Sequence, residues 1–115
     1  LDLDNKDQQC EHLMGLKDGK LVAYSRIVPA GLSYEYPSIG RIVVAKEGRG
    51  HGYGIELLNV SIQRTRDLYG EVPIQLGGQL YLKRFYESFG FIQVSDVYLE
   101  DQIEHIVMTR NVIVE

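Results

Sequence analysis

The first third of the chain carries apolar runs separated by turn residues, a pattern typical of strands. The runs at residues 11–16 and 20–28 flank an Asp-Gly pair, and such a pair between apolar runs is a strong signal for a hairpin. Residues 29–38 hold two prolines and a glycine, which predict a loop. The apolar run at residues 39–45 predicts a third strand.

The middle of the chain changes to the spacing of a helix. Four apolar residues recur on one helical face: Ile55, Leu58, Ile62 and Tyr69. This recurrence predicts an amphipathic helix that Gly70 can end, because glycine readily adopts the left-handed conformation found after the last helical turn. The short apolar run at residues 72–77 then predicts a buried strand.

Helical spacing returns before the last strands. A second apolar set recurs at this spacing and stops before Gly90: Leu82, Phe85, Tyr86 and Phe89. Residues 91–99 and 103–114 then predict two long strands joined by a polar turn. With three strands before the first helix and one between the helices, this order predicts a mixed sheet. We expect a single α+β (mixed α/β) domain over residues 1–115.

Composition narrows the class of protein. Apolar residues make up 44% of the 115 residues and charged residues 24%, which is ordinary for a folded domain. The net charge of -4 argues against a nucleic-acid partner, because binding phosphates requires a clustered cationic surface. The sequence contains no run of 18 apolar residues, so it predicts no membrane-spanning helix. The single cysteine, Cys10, cannot form an intramolecular disulfide, so we expect a reducing, cytoplasmic location.

The stretch RGHGYG, residues 49–54, places three glycines where the first helix must begin. Each glycine destabilises a helix interior by roughly 0.5 to 1 kcal/mol relative to alanine, so three of them need a reason. The main-chain N–H groups and the dipole at a helix start stabilise an anion, and glycines let a phosphate approach closely. The loop therefore predicts a pyrophosphate-binding site.

Two familiar phosphate loops do not fit this stretch. The P-loop requires a Lys-Ser or Lys-Thr pair after its last glycine, which is missing here. The dinucleotide fingerprint requires a third glycine where this chain has Tyr53 or Ile55. The pattern that does fit is R-x-x-G-x-G, with Arg49, Gly52 and Gly54 at its fixed positions.

This pattern, set between a strand and a helix, resembles the acyl-CoA loop of the GNAT superfamily of N-acetyltransferases. Further along, GGQLYLKRFYESFGF is similar to the second GNAT motif, with Gln79 where the family often has Asn. Phe85 and Tyr86, then Gly90 and Phe91, match that motif. The stretches HLMGLKDGKLVAYSRIV, IGRIVV and EDQIEHIVMTR resemble the ElaA-like branch. The resemblance covers almost the whole chain.

The resemblance implies a GNAT-like acyl-CoA N-acyltransferase fold. Its central mixed sheet is mostly antiparallel, contains a splayed strand pair and is flanked by helices. A full GNAT domain begins with a strand and one or two helices before the hairpin, and this sequence has no room for them. We therefore expect an N-terminally incomplete domain with an exposed sheet edge, which could pair with a second copy in a homodimer.

The resemblance also implies acetyl-CoA as the cofactor and an amine as the acceptor. The strands at 39–45 and 72–77 should splay so that the pantetheine arm lies between them. Main-chain groups of Ile42 and Val44 should bind the arm, and Val43 is also expected to contact the cofactor. The N–H near Val44 should also stabilise the oxyanion of the reaction. The pyrophosphate should lie on the glycine loop, formed by Arg49, Gly50, His51, Gly52, Tyr53 and Gly54.

Two side chains have implied roles in proton transfer, and no metal site is predicted. Tyr86 occupies the position of the family's general acid for the departing thiolate, although a tyrosine on the apolar face of a helix also suits a core. His105 has Glu100, Asp101 and Glu104 nearby in sequence and is a candidate general base, acting directly or through water. A packed strand histidine is the alternative.

Two further residues of the second motif have implied cofactor contacts. Gln79 can hydrogen-bond to the pantetheine arm or cap the second helix, and both interpretations are equally supported. Lys83 could meet a cofactor phosphate, but an exposed cation on a helix needs no such role.

Three functions are open on the sequence alone. The first is an acetyl-CoA-dependent N-acetyltransferase that acts on a primary amine of a small molecule or peptide by direct attack. The second is a non-catalytic acyl-CoA-binding module, or a truncated domain that assembles through its exposed sheet edge. The third is an unrelated nucleotide-binding domain. The loop at residues 29–38, with tyrosines and a glutamate, indicates only that the acceptor is polar or cationic.

Overall fold

A computed structural model describes residues 9–45 and 52–112. Within these ranges the chain forms one mixed sheet of seven strands with two helices. The strands are β1 Glu11–Lys17, β2 Lys20–Val28, β3 Ser38–Val44, β4 Ile74–Gln79, β5 Phe91–Gln93, β6 Tyr98–Glu100 and β7 Ile103–Arg110. The helices are α1 Tyr53–Tyr69 and α2 Lys83–Glu87. The strand order β1-β2-β3-β4-β7-β5, with β6 also paired to β7, confirms the predicted mixed sheet.

The strands β1 and β2 form the predicted antiparallel hairpin, in which Glu11 lies opposite Ile27. Its turn residues Asp18 and Gly19 have φ of 52° and 79°. A two-residue hairpin turn requires such left-handed values, which glycine adopts freely and aspartate tolerates. Among the described residues β1 pairs only with β2, so it forms an edge of the sheet.

The strands β3 and β4 part soon after they meet. They form one parallel pair, Ser38 opposite Gln75, and the N–H of Gln75 donates to the carbonyl of Pro37 at 3.0 Å. Beyond this point β3 follows β2, and β4 follows β7. The splayed strand pair implied by the resemblance is therefore present, in strands whose bounds differ slightly from the predicted ones.

Helix α1 packs on the sheet through a stripe of buried residues: Leu57, Leu58, Ser61, Ile62 and Thr65. The hydroxyls of Ser61 and Thr65 each donate to a carbonyl of the preceding helical turn at 2.7 Å, which satisfies them in the core. The prediction that Ile55 and Tyr69 share this buried face is wrong, since their side chains are 53% and 36% exposed. Two small polar residues complete the stripe instead.

The hydrophobic core fills the space between the sheet and the helices. Its buried members are Ile39, Leu58, Ile62, Ile74, Leu76, Tyr86, Phe91, Ile106 and Met108. On β4 and β7 these members alternate along the strand, so the residues between them lie on the opposite face of the sheet. Gly77 on β4 and His105 on β7 therefore face away from the core.

The prediction of one long strand at residues 91–99 is wrong. The chain forms β5 and β6 there, which pair with opposite ends of β7. Ser95 interrupts the strand, because its hydroxyl accepts a hydrogen bond from the N–H of Val107 at 2.8 Å. A side-chain hydroxyl thus replaces a strand carbonyl as the hydrogen-bond acceptor. The final strand, β7, ends at Arg110, which is earlier than predicted.

The second helix is shorter than predicted. A 3-10 turn at Leu80–Leu82 precedes α2, which ends at Glu87. Phe89 lies in the following turn, and Gly90, with φ of 92°, leads into β5. No helix in the described ranges is both long and apolar enough to cross a membrane.

Candidate active site

The splayed strands leave a crevice between them, which we call the β3–β4 gap. It is a cavity of about 170 Å³ lined by Ile39, Gly40, Arg41, Ile42, Gly77, Gly78, Gln79, Leu82, Tyr86 and His105. Four of these residues were implicated by the resemblance: Ile42, Gln79, Tyr86 and His105. The fold therefore brings together, around one cavity, predicted site residues from four separate segments.

A β-bulge lies in β3 where this strand borders the gap. Two residues of β3, Arg41 and Ile42, lie opposite the single residue Ser25 of β2. Arg41 has φ of 54°, a left-handed value that a residue with a side chain adopts only at a cost. Such bulges redirect a strand and are frequent beside active sites.

The hydrogen bond of the next residue fixes the direction of the Val44 main chain. The N–H of the next residue, Ala45, donates to the carbonyl of Val22 on β2 at 2.8 Å. Because successive N–H groups of a strand point to opposite sides, the N–H of Val44 points away from β2. By the same alternation the N–H of Val43 points to β2, and its side chain is 55% exposed.

Tyr86 reaches the gap from the core face of the sheet. Its side chain is 5% exposed, and its ring centroid lies 5.4 Å from that of Phe85 and 6.3 Å from that of Phe91. The ring lies against Gly78, where an added Cβ would be 2.7 Å from Tyr86 Cε2. Burial raises the pKa of the Tyr86 hydroxyl, so at neutral pH this group keeps a proton that it can donate.

The opposite face of β4 carries a pair of tyrosine hydroxyls. A Cβ added at Gly77 would be 2.7 Å from Tyr34 Oη and 2.9 Å from Tyr98 Oη. Burial, the neighbouring Tyr98 hydroxyl and the charge of Glu100 together raise the pKa of Tyr34 to about 12. Sequence reasoning missed this pair, because nothing local connects the loop of Tyr34 to the strand of Tyr98.

His105 lies on the same face as the tyrosine pair. Its Nδ1 donates to the carbonyl of Ile103 at 2.7 Å, since a carbonyl can only accept, and the neutral ring then has its lone pair on Nε2. Nε2 is 3.4 Å from Glu100 Oε2, and the ring stacks on Tyr98 with centroids 5.9 Å apart. The lone pair of His105 Nε2 therefore lies on the side of the ring where the carboxylate of Glu100 is found.

The start of α1 lies next to the end of β3. Gly52 precedes the helix with φ of 76°, a value that favours glycine. A Cβ added at Gly54 would lie 3.9 Å from Val44 Cγ2 and 3.8 Å from Phe85 Cζ. The glycine motif and the second motif therefore meet in space. Three predicted residues of the glycine loop lie outside the described ranges: Arg49, Gly50 and His51.

Three of the predicted contact residues have different outcomes. Tyr53 faces Lys17, whose Nζ is 5.9 Å from the centre of its ring. Lys83 donates from Nζ to Gln93 Oε1 at 2.8 Å and does not line the gap. Gln79 lines the gap and precedes the 3-10 turn, but its side chain makes no capping hydrogen bond, so the capping interpretation is wrong.

Comparison with known proteins identifies the family of this fold. Residues 4–112 match the sequence profile of the acetyltransferase (GNAT) domain. The chain belongs to the GNAT acetyltransferase family. Membership excludes the unrelated nucleotide-binding domain that the sequence left open.

Relatives of this GNAT domain include protein ElaA of Escherichia coli, which is 39% identical over 113 residues, or 98% of this chain and 74% of ElaA. The crystal structure of E. coli ElaA aligns with a TM-score of 0.87 at 38% identity, over 96% of this chain and 75% of that one. The predicted likeness to the ElaA branch is therefore confirmed.

Two further solved structures show the same fold. An acyl-CoA N-acyltransferase from Pseudomonas aeruginosa aligns with a TM-score of 0.81 at 38% identity, over 86% of this chain and 66% of that one. A GNAT family acetyltransferase from Elizabethkingia anophelis with acetyl-CoA bound aligns with a TM-score of 0.73 at 17% identity, over 91% of this chain and 78% of that one. This GNAT domain thus spans 66% to 78% of the solved relatives' lengths.

Proposed function

We propose that this GNAT domain is an acetyl-CoA-dependent N-acetyltransferase that acetylates a primary amine by direct attack. The observation that carries the proposal is the β3–β4 gap, which Tyr86 and His105 both border. Amide formation from a thioester needs a proton donor for the departing sulfur and a proton acceptor for the amine. The description of the Pseudomonas relative as an acyl-CoA N-acyltransferase supports the same class of reaction.

The residues around the gap suit an acyl-CoA. Pairing between β3 and β4 stops at Ser38 and Gln75, so an extended arm can bind to β3 beyond this point as an added strand would. Gly77 and Gly78 place no side chain in its path. The start of α1 at Gly52 offers main-chain N–H groups to a pyrophosphate. Bound acetyl-CoA would supply an acetyl thioester, whose carbonyl carbon an amine can attack.

The protein groups would then have separate tasks. Nε2 of His105 accepts a proton from the acceptor's ammonium group, which leaves the neutral amine that attacks. The N–H of Val44 stabilises the negative charge that develops on the carbonyl oxygen. Tyr86 gives its proton to the sulfur and is reprotonated from solvent. One C–N bond forms, one C–S bond breaks, and one proton is released overall for each ammonium consumed.

Two experiments test this proposal together. Calorimetric titration with acetyl-CoA, with ATP as the control, measures binding, and release of the CoA thiol in the presence of amines measures transfer. We expect selective binding of acetyl-CoA and thiol release that depends on the amine. Selective binding without transfer to any amine would instead support the non-catalytic acyl-CoA-binding module, and equal binding of ATP would argue against a pantetheine groove.

Assembly is a separate part of the proposal. The outer edge of β1 is an edge of the sheet among the described residues, and an exposed edge can pair with a second copy. Light scattering of the purified chain measures its mass in solution. The mass of two copies would support a homodimer, and the mass of one copy would exclude it at that concentration.

A further inference from the structure

A second cavity adjoins the gap on the face of β4 that carries Gly77. Its volume is about 620 Å³, which is in the usual range for small-molecule sites. It shares Ile39, Gly40, Arg41 and Gly77 with the gap. Tyr86 and the core fill the other face of β4, so under the proposed function an acceptor reaches the gap through this cavity. We therefore call it the acceptor-side cavity.

One wall of the acceptor-side cavity is the segment between β2 and β3, residues 29–37, which we call the β2–β3 loop. Ser33 and Tyr34 of this loop line the cavity. The hydroxyl of Tyr34 lies over Gly77, where an added Cβ would be 2.7 Å from it. The main chain of a loop is held by turns, side chains or water rather than by a strand ladder. The contacts that anchor this loop therefore decide the shape of the cavity.

Gln75 on β4 anchors the β2–β3 loop with both its main chain and its side chain. Its N–H donates to the carbonyl of Pro37 at 3.0 Å. Its side-chain Oε1 accepts a hydrogen bond from the N–H of Tyr36 at 3.2 Å, and its Nε2 donates to Thr109 Oγ1 on β7 at 3.2 Å. Because the N–H of Tyr36 can only donate, it settles which end of the amide faces the loop. We call these two side-chain hydrogen bonds the Gln75 clamp.

The position of Gln75 makes this clamp relevant to the gap. Among the described residues it forms with Ser38 the one pair that joins β3 and β4, so it lies at the point from which the two strands separate. It is two residues before Gly77, on the same face of the strand, and its β7 partner Thr109 is buried. The clamp therefore connects a fixed point in the sheet to the loop that carries Tyr34.

We infer that Gln75 is a positioning residue for the acceptor side of the reaction, because its clamp holds the β2–β3 loop so that Tyr34 stays over Gly77. This inference rests on the proposed function, since the cavity matters to transfer only if the acceptor passes through it. Gln75 itself lines neither the gap nor the cavity, so the loop transmits its effect to the acceptor. Loss of the clamp should therefore weaken acceptor binding and leave proton transfer by Tyr86 and His105 intact.

Two variants of Gln75 separate the clamp from the bulk of the side chain. Gln75→Leu keeps a similar size and removes both side-chain hydrogen bonds. Gln75→Glu keeps one oxygen for the N–H of Tyr36 and a second oxygen that can accept from the hydroxyl of Thr109, so it should retain the clamp. Gln63→Leu is the matched control, because Gln63 is exposed on α1 and its side chain bonds only to Asp67 of the same helix in the contacts described.

Hydrogen exchange followed by NMR measures the clamp without any substrate. The N–H of Tyr36 should exchange about fivefold faster in Gln75→Leu than in the parent protein, as the loss of one neutral hydrogen bond implies. It should exchange no faster in Gln75→Glu, and its rate should be unchanged in Gln63→Leu. Equal rates in the parent protein and Gln75→Leu would contradict the clamp.

Steady-state kinetics measures the effect on the reaction, with acetyl-CoA and the amine that gives thiol release varied in turn. In Gln75→Leu the KM for the amine should rise about five- to tenfold, while kcat stays within about twofold of the parent value. Acetyl-CoA affinity should change less, because the main-chain bond to Pro37 remains. Gln75→Glu should restore the amine KM. Lowered stability with an unchanged KM, or a loss of kcat as large as the rise in KM, would overturn the inference.

The inference and the proposed function fail in different ways. If no amine gives thiol release, the proposed function falls, and the exchange rate of the Tyr36 N–H alone decides whether Gln75 holds the loop. If transfer proceeds with the same amine KM in the parent protein and Gln75→Leu, the proposed function stands and the inference falls.

Discussion

Two neighbouring glycines of β4 have very different surroundings. Gly78 lies against the buried ring of Tyr86 on the core face, whereas Gly77 lies under the hydroxyls of Tyr34 and Tyr98 in a polar cavity. Because successive residues of a strand face opposite sides, one strand separates the proposed proton donor from the proposed acceptor site. The donor is built into the core, and the acceptor site is built from a loop and a short hairpin.

Tyr86→Phe should have the largest effect, and it acts on the core side. It removes the proton donor but keeps the ring in place, so amine-dependent thiol release should fall by roughly 10² to 10⁴-fold, while acetyl-CoA affinity hardly changes. Initial rates and calorimetry measure the two quantities. Tyr81→Phe is the control, because Tyr81 is close in the chain and 77% exposed. An unchanged rate in Tyr86→Phe would exclude the proposed role.

Gly78→Ala should disturb the same side through packing. The added methyl group would lie 2.7 Å from the ring of Tyr86 and 3.2 Å from Leu76 Cδ1. Overpacking of this kind lowers the free energy of unfolding by about 1–3 kcal/mol, and displacing the hydroxyl should lower turnover by up to about 10²-fold. Urea unfolding and initial rates measure these changes. Full activity with lowered stability would show that the position of Tyr86 is not critical.

Gly77→Ala should affect the acceptor side most. Its methyl group would meet the hydroxyl ends of Tyr34 and Tyr98, so the free energy of unfolding should fall by about 1 kcal/mol or less, as for one lost hydrogen bond. The KM for the amine should rise several-fold, and acetyl-CoA affinity should fall less than this, because Gly77 also lines the gap. Steady-state kinetics with each substrate varied in turn measures this. A loss of stability as large as that of Gly78→Ala would remove the contrast between the two faces.

Alkaline pH should lower the free energy of unfolding through Tyr34, which lies on the acceptor side. Near neutral pH this effect should be small. The folded protein holds the Tyr34 proton more tightly than the unfolded chain, since the pKa rises from 10.0 to about 12. The stability that the protonated Tyr34 contributes to the folded state is intact below about pH 10 and is lost as the pH rises through about 12. Because Tyr34 is only half-buried, the loss should stay below about 2 kcal/mol.

Tyr34→Phe should remove this part of the alkaline loss, since it has no phenol to ionise. Urea unfolding of both proteins at about pH 9 and about pH 12 measures the difference. The losses from Tyr86 and Tyr98, whose pKa values burial also raises, should remain in both proteins. Identical pH dependence in the two proteins would contradict the assignment to Tyr34.

Local chemistry explains what the sequence could predict. The hairpin followed from one aspartate and one glycine, because only a two-residue turn with left-handed values fits between those apolar runs. Through the family resemblance, the glycine motif and the Phe85-Tyr86 motif predicted the splayed sheet and four of the ten residues that line the gap. These signals lie within single segments, so no knowledge of distant contacts was needed.

Long-range contacts explain what the sequence could not predict. Ser95 ends β5 only because its hydroxyl meets the N–H of Val107 on another strand. The contact of Tyr34 with Tyr98 depends on the path of a loop and on the pairing of β6 with β7. Ser61 and Thr65 occupy a buried helix face because they bond to their own helix, which a count of apolar residues overlooks.

The pairing of β6 with β7 is short enough for its register to change during evolution. Only three residue pairs hold β6 to β7, with Tyr98 opposite His105 and Glu100 opposite Ile103. A one-residue slip of a strand exchanges its two faces. A single insertion in the turn would thus replace Tyr98 and Glu100 at the cavity by the apolar Leu99 and leave the core side of β4 untouched. Substrate preference could change in one mutational step, without a new cofactor site.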